Sequence, residues 1–116
     1  MVGIKAVRAG ATTGDIGFAI EQFVKPHGFG IVRERAGHGV GYAVHEEPFI
    51  PNFGKKGEGV VLKAGMVIAI EPMLNEGSAA VKLDSDGYTY RTRDGSRSAH
   101  FEHTVLVGEK GGDILT

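Results

Sequence analysis

The sequence predicts an α+β fold with a largely antiparallel sheet, and three observations carry that prediction. Apolar residues recur at helical spacing near the start, later segments repeat them with period two, and an Asp-Gly turn joins two of those segments. The sum is one or two helices followed by about five strands. Ile4, Val7 and Ala6 give barely two turns of helical pattern before Ala9-Gly10, where Gly10 suits a helix stop. With no cap ahead of it, this segment reads as the tail of a longer helix.

Thr12 or Thr13 caps a second helix, with Asp15 in its first turn. Ile16, Ala19, Ile20, Phe23 and Val24 form its apolar face, and Pro26 and Gly28 end it. Ile31–Arg35 reads as a strand running into Gly37-His38-Gly39-Val40-Gly41, with glycines where side chains would crowd a site. Pro48, Pro51, Asn52 and Gly54 to Gly59 form a loop. Gly65–Pro72 is an almost continuous apolar strand that ends in a carboxylate. Ala79–Leu83 and Tyr88–Thr92 flank Asp84-Ser85-Asp86-Gly87 as a hairpin, and His100–Val107 alternates as the last strand.

A chain of 116 residues is one domain in size, on a prior of roughly 100–200 residues per domain. Its composition, 41% hydrophobic and 23% charged, is globular, but 19 glycines imply many turns and close backbone approaches. A net charge of −1 gives no electrostatic footprint for nucleic acid or an anionic membrane surface. No apolar run reaches the length of a membrane span and no charged-then-apolar leader opens the chain, so a cytoplasmic location is expected. The absence of cysteine excludes disulfides, thiolate zinc sites and cysteine nucleophiles.

Glu71 and Glu102 sit where hydrophobicity predicts burial. In strand geometry Val67, Ala69 and Glu71 share one face, with Ile68 and Ile70 opposite; His100, Glu102 and Thr104 share another, opposite Phe101, His103, Val105 and Val107. A buried carboxylate costs several kcal/mol unless paired or metal-bound. With His38 among its glycines, the two glutamates make a partial coordination set for a first-row divalent metal. The competing reading makes His38 a core histidine and pairs the glutamates with Arg33, Arg35 or Arg97.

His45-Glu46-Glu47-Pro48 reads as a polar loop, and His27 as a surface helix-end residue. Arg91, Arg93 and Arg97 belong to a solvated hairpin. Glycines 37, 39 and 41 open no helix and make no dinucleotide fingerprint, and no serine lies in a nucleophile elbow.

Four motifs in order, Gly37-His38-Gly39-Val40-Gly41, His45-Glu46-Glu47-Pro48, Gly65-Met66 through Ile70-Glu71-Pro72-Met73, and Ser98-Ala99-His100-Phe101-Glu102-His103-Thr104, closely resemble the C-terminal half of type I methionine aminopeptidases. These are pita-bread metallohydrolases that remove initiator methionine. The resemblance covers the whole chain, implying a single domain over 1–116 that forms half of a pita-bread fold. It further implies His38, Glu71 and Glu102 as three of five ligands to two divalent metals of the Co, Mn, Fe or Zn class. Glu71 would handle protons, His45 would hydrogen-bond the scissile amide, and Tyr88 and His100 would contact substrate.

The family's two aspartate ligands lie in its N-terminal half, and Asp15 does not stand in for them. Val44, Ala69 and Tyr88 depart from the residues common at their positions. The resemblance therefore implies a peptide or nascent-protein substrate and a complementary N-terminal half or a second copy as partner. A non-catalytic half-domain that binds metal, peptide or protein is the alternative.

Overall fold

Thr12 begins the principal helix through a reciprocal pair of bonds. Its hydroxyl accepts from the Asp15 backbone N–H at 3.2 Å, and the Asp15 carboxylate accepts from the Thr12 backbone N–H at 2.7 Å. From this capping box, α2 runs over Thr13–Val24 in the computed structural model, which describes residues 1–116. Ile16, Ile20 and Val24 are buried, each stabilising the fold by about 1.5–3 kcal/mol. Phe23, expected on the same face, is 55% exposed. It borders an open apolar hollow of about 420 Å³ together with Met1, Pro72 and Phe101. A 3₁₀ turn at Lys25–His27 contains Pro26 and closes on Gly28 in the left-handed conformation. The first helix, α1, is a single turn, Val2–Lys5, shorter than its pattern suggested.

Ten short strands follow, rather than the five expected: β1 Gly30–Ile31, β2 Gly37–Gly39, β3 Glu46–Ile50, β4 Val67–Ile70, β5 Met73–Asn75, β6 Val81–Leu83, β7 Tyr90–Thr92, β8 Ser98–His100, β9 His103–Val107 and β10 Gly112–Ile114. Every pairing is antiparallel. The five-stranded sheet has the order β10-β9-β4-β2-β3, the three-stranded sheet the order β1-β5-β8, and β6-β7 is the predicted hairpin. The α+β class and the antiparallel sheet therefore hold.

The extra strands arise because three lines of chain cross from one sheet to the other and break at the crossing. Ile31 to Gly41 is not one strand: β1 pairs with β5, whereas β2 pairs with β4. Glu71-Pro72 separates β4 from β5, where proline removes a ladder donor. Phe101-Glu102 separates β8 from β9, so His100–Val107 is two strands in two sheets. The polar run expected as a loop is instead largely β3, an edge strand that tolerates Pro48.

Ile50, Ile68, Ile70, Val105 and Val107 pack with the helices in one core cluster. The opposite face carries the chemistry. His38 pairs in register with Ala69, and Ala69 with Thr104, so the three form a row across β2, β4 and β9. The flanking glycines serve the strands, not a ligand space. A Cβ on Gly37 would lie 2.0 Å from the Ala69 carbonyl oxygen, and one on Gly39 2.1 Å from that of Glu47. At Gly41 the space is taken by the Glu46 carboxylate, which accepts the Ala43 N–H at 3.1 Å and shapes the turn into β3.

Candidate metal centre

The three sheet crossings bring together residues far apart in sequence. His38 stands on β2, Glu71 just past β4, and Glu102 just before β9. One donor atom from each, an imidazole nitrogen and two carboxylate oxygens, lies within 4.8 Å of the others. The distribution of burial differs from the expectation: His38 and Glu71 are largely enclosed, but Glu102 is exposed.

The imidazole is oriented by its neighbour. His38 Nδ1 lies 2.9 Å from the Gly39 carbonyl oxygen, to which it can only donate, leaving Nε2 directed at the glutamates. Nε2 is 3.4 Å from Glu71 Oε1. In the neutral ring both atoms present lone pairs, so a cation or a proton must lie between them. Two ligands bound to one ion at about 2.0–2.2 Å stand roughly 3.4 Å apart in a tetrahedral shell, which matches this spacing.

Charge balance points the same way. None of the arginines proposed as structural partners approaches the glutamates. Arg33 pairs with Glu21 at 3.5 Å, Arg97 with Glu76 at 2.8 Å, and Arg35 stacks 4.2 Å above the Tyr90 ring. The two carboxylates thus have no guanidinium to balance them, and only the imidazoles of His38 and His100 lie beside Glu71. The donor types and spacing fit a divalent ion of the Mn, Fe, Co or Zn class, though three donors fill only part of its shell.

The other sequence candidates surround this centre. His100 Nε2 lies 3.2 Å from Glu71 Oε2, so the Glu71 carboxylate is held between two imidazoles. The His45 ring packs on His38 with centroids 3.9 Å apart, beside the donors without joining them. Tyr88 is exposed on the hairpin and lines, with His100, a cleft of about 300 Å³. Asp15 serves its helix cap and also accepts the Gly57 N–H at 3.1 Å, as far as its role extends. His27 is exposed and bonds the Phe23 carbonyl at 2.7 Å.

One contributor had no sequence signal. Asn52, assigned to a loop, is 1% exposed and donates to the Glu71 carbonyl at 3.5 Å, while its Oδ1 has no partner. Only its place in Pro51-Asn52-Phe53, a polar side chain between two apolar rings, distinguished it.

Residues 1–109 match metallopeptidase family M24. The chain is 48% identical over 116 residues to methionine aminopeptidase B of a Synechocystis strain, covering all of this chain and 42% of that protein. It superposes on the crystal structure of a methionine aminopeptidase from Thermotoga maritima with a TM-score of 0.95 at 50% identity, covering 98% of this chain and 46% of that one. The corresponding enzyme structure from Rickettsia prowazekii gives a TM-score of 0.95 at 46% identity and covers the same shares. The chain thus spans less than half the length of the relatives it matches. No helix is long and apolar enough to cross a membrane.

Proposed function

This chain belongs to metallopeptidase family M24, and from that premise we propose that residues 1–116 form a single domain, the C-terminal half of a methionine aminopeptidase catalytic unit. The observation that carries the reading is the convergence of one donor atom each from His38, Glu71 and Glu102 within 4.8 Å of one another, with no guanidinium paired to the two glutamates. His38, Glu71 and Glu102 would hold the metal. A divalent ion there supplies Lewis-acid polarisation of a carbonyl and lowers the pKa of water.

The chain's own residues supply the rest. Glu71, fixed between His38 and His100, accepts a proton at a carboxylate oxygen from the attacking water and returns it to the departing amine. His45, whose ring packs against His38, would hydrogen-bond the scissile amide and the oxyanion that follows. Tyr88 and His100 line the cleft that receives the amino-terminal segment of a peptide or nascent protein. The unfilled shell is completed by a complementary N-terminal half or by a second copy of the chain. A cytoplasmic setting, with neither nucleic acid nor membrane as partner, suits this reading.

The deciding experiment is hydrolysis of a Met-Ala-Ser peptide with Co²⁺, Mn²⁺ or Fe²⁺, with and without a separately supplied N-terminal half. Hydrolysis is expected with metal and the N-terminal half, or with metal and a dimer of the chain. Turnover by the purified chain as a monomer would overturn the partner requirement, and preference for a proline-containing dipeptide would assign it to the prolidase branch. The exposure of Val44 and Tyr88, two positions that depart from the family pattern, favours a second reading as a non-catalytic binding domain. Metal-independent peptide binding, unchanged in Glu71→Ala and without hydrolysis in the reconstituted pair, would establish it.

A further inference from the structure

The cleft beside His100 has a charge character that the hydrolytic chemistry does not require. Its polar lining includes Arg35, Arg91, His100, Tyr88 and Tyr90, with Met73 among its apolar residues, and no carboxylate contributes to it. Two of the three basic groups are already matched: Arg91 pairs with Asp84, and His100 with Glu71. Arg35 is different. It makes no ion pair and no side-chain hydrogen bond, and its guanidinium stacks on Tyr90 at 4.2 Å from the ring centroid. Stacking holds the plane of the group while leaving its edge donors free, which is the arrangement that suits a carboxylate. Restricting the side chain before binding also lowers the entropy lost on binding.

We propose that this cleft is a carboxylate-recognising subsite in which Arg35 selects peptides carrying an acidic group near their amino terminus. The inference rests on the reading of the neighbouring centre as a peptide site, and it adds a substrate class to it. The carboxylate has two chemical sources, an acidic side chain or the free C-terminus of a short peptide. Arg35 supplies paired N–H donors, and the Tyr88 and Tyr90 rings wall the cleft.

The test is peptide binding by isothermal titration calorimetry to the whole chain, without metal and without turnover. Inactivity of the enzyme reading therefore leaves the outcome intact. The probes are C-terminally amidated Met-Ala-Ser-Gln peptides in which each position in turn carries Glu or Gln, and the unamidated Gln series. A Glu peptide is expected to bind about threefold to tenfold more tightly than its Gln counterpart, with the gap closing at high salt. Arg35→Gln should abolish that preference, and Arg35→Glu should transfer it to Lys-containing probes. Arg35→Lys should keep the charge preference but lose part of the affinity. A preference confined to the unamidated series would also support the subsite and assign its ligand as a C-terminal carboxylate. Equal binding of Glu and Gln probes with equal binding of the free and amidated series, an unchanged preference in Arg35→Gln, or no saturable binding of any probe would overturn it.

Discussion

Replacing Gly37 by alanine separates the two roles a glycine beside His38 could have. A Cβ at this position would lie 2.0 Å from the Ala69 carbonyl oxygen and 3.0 Å from its carbon. Since that oxygen belongs to the central strand, relief requires β2 to move by about 1 Å, given the ~3 Å that carbon and oxygen need as a minimum contact. The move strains the His38↔Ala69 and Gly39↔Ile68 pairs and the Val40 N–H bond to Val67. Overpacking costs typically 1–3 kcal/mol, and each weakened hydrogen bond roughly 0.5–1.5. We therefore expect Gly37→Ala to lose about 2–5 kcal/mol, a large part of a usual stability of ~5–15. Urea unfolding should show a lower midpoint with an unchanged slope. Gly111→Ala, whose Cβ would meet nothing within 4 Å, is the control and should unfold like the parent. If Gly37→Ala kept the parental midpoint and lost only metal or peptide affinity, the glycines would be clearing a ligand space and the strand explanation would be wrong.

Other residues give equally definite expectations. Backbone and side-chain bonds from Thr12 hold the Asp15 carboxyl below the ordinary aspartate value, against a smaller desolvation effect. Its stabilising contribution is thus complete above an unfolded value near 3.8 and fades as pH falls through the lower folded value. Asp15→Ala should cost about 1 kcal/mol at pH 7, and the gap to the parent should shrink below about pH 4; a gap constant down to acid pH would contradict the capping box. The Ser96 hydroxyl and the Ser78 N–H hold the Asp94 carboxyl down to about 2, so NMR of Ser96→Ala should find it titrating higher, and no change would disprove the bond. For the metal centre, Glu71→Gln and His38→Ala should each weaken Co²⁺ or Mn²⁺ binding by more than the ~10–100-fold typical of outer partners, and His45→Ala by no more than that. Calorimetry that ranked His45→Ala with the other two would place its ring among the ligands.

Local interactions were the legible part of this structure. Thr12 and Asp15 lie three residues apart, and Asp84 to Thr89 form one turn, so their geometry is written in adjacent residues. His38, Glu71 and Glu102 were also recognisable, because ionisable groups interrupting apolar or glycine-rich runs need a reason. The breaks at Phe101-Glu102 and before Gly37 were not legible. Alternation continues through Phe101-Glu102, the stretch 33–36 holds no proline or glycine, and only the partners, β5 on one side and β4 on the other, reveal that the sheet has changed. Asn52 was hidden for the same reason, since what it supports is the carbonyl of Glu71, a residue 19 positions away at the break between β4 and β5. The glycines around His38 were read correctly as needing space and wrongly as to whose space it was.

The breaks and the site have one cause. Along an unbroken ladder, backbone pairing holds successive side chains at fixed spacing on fixed faces. Where β4 gives way to β5, and β8 to β9, that constraint lapses for two residues, and Glu71 and Glu102 occupy those positions. His38 remains within β2, its ring set by Gly39 and its row set by Ala69. A rigid imidazole therefore faces two carboxylates that the ladder no longer directs. Those carboxylates repel one another, and the nearby guanidiniums are engaged elsewhere, with Glu21, Glu76 and Tyr90. The fold concentrates negative charge on one face of three strands and keeps its own cations away. Such a face is stable in proportion to what binds it, because a cation held only by the folded state adds its binding free energy to stability, about 2.7 kcal/mol at a hundredfold excess over its dissociation constant. The same incompleteness makes the surface receptive to a partner, since a coordination shell with three donors gains affinity from each further donor that a facing protein surface brings.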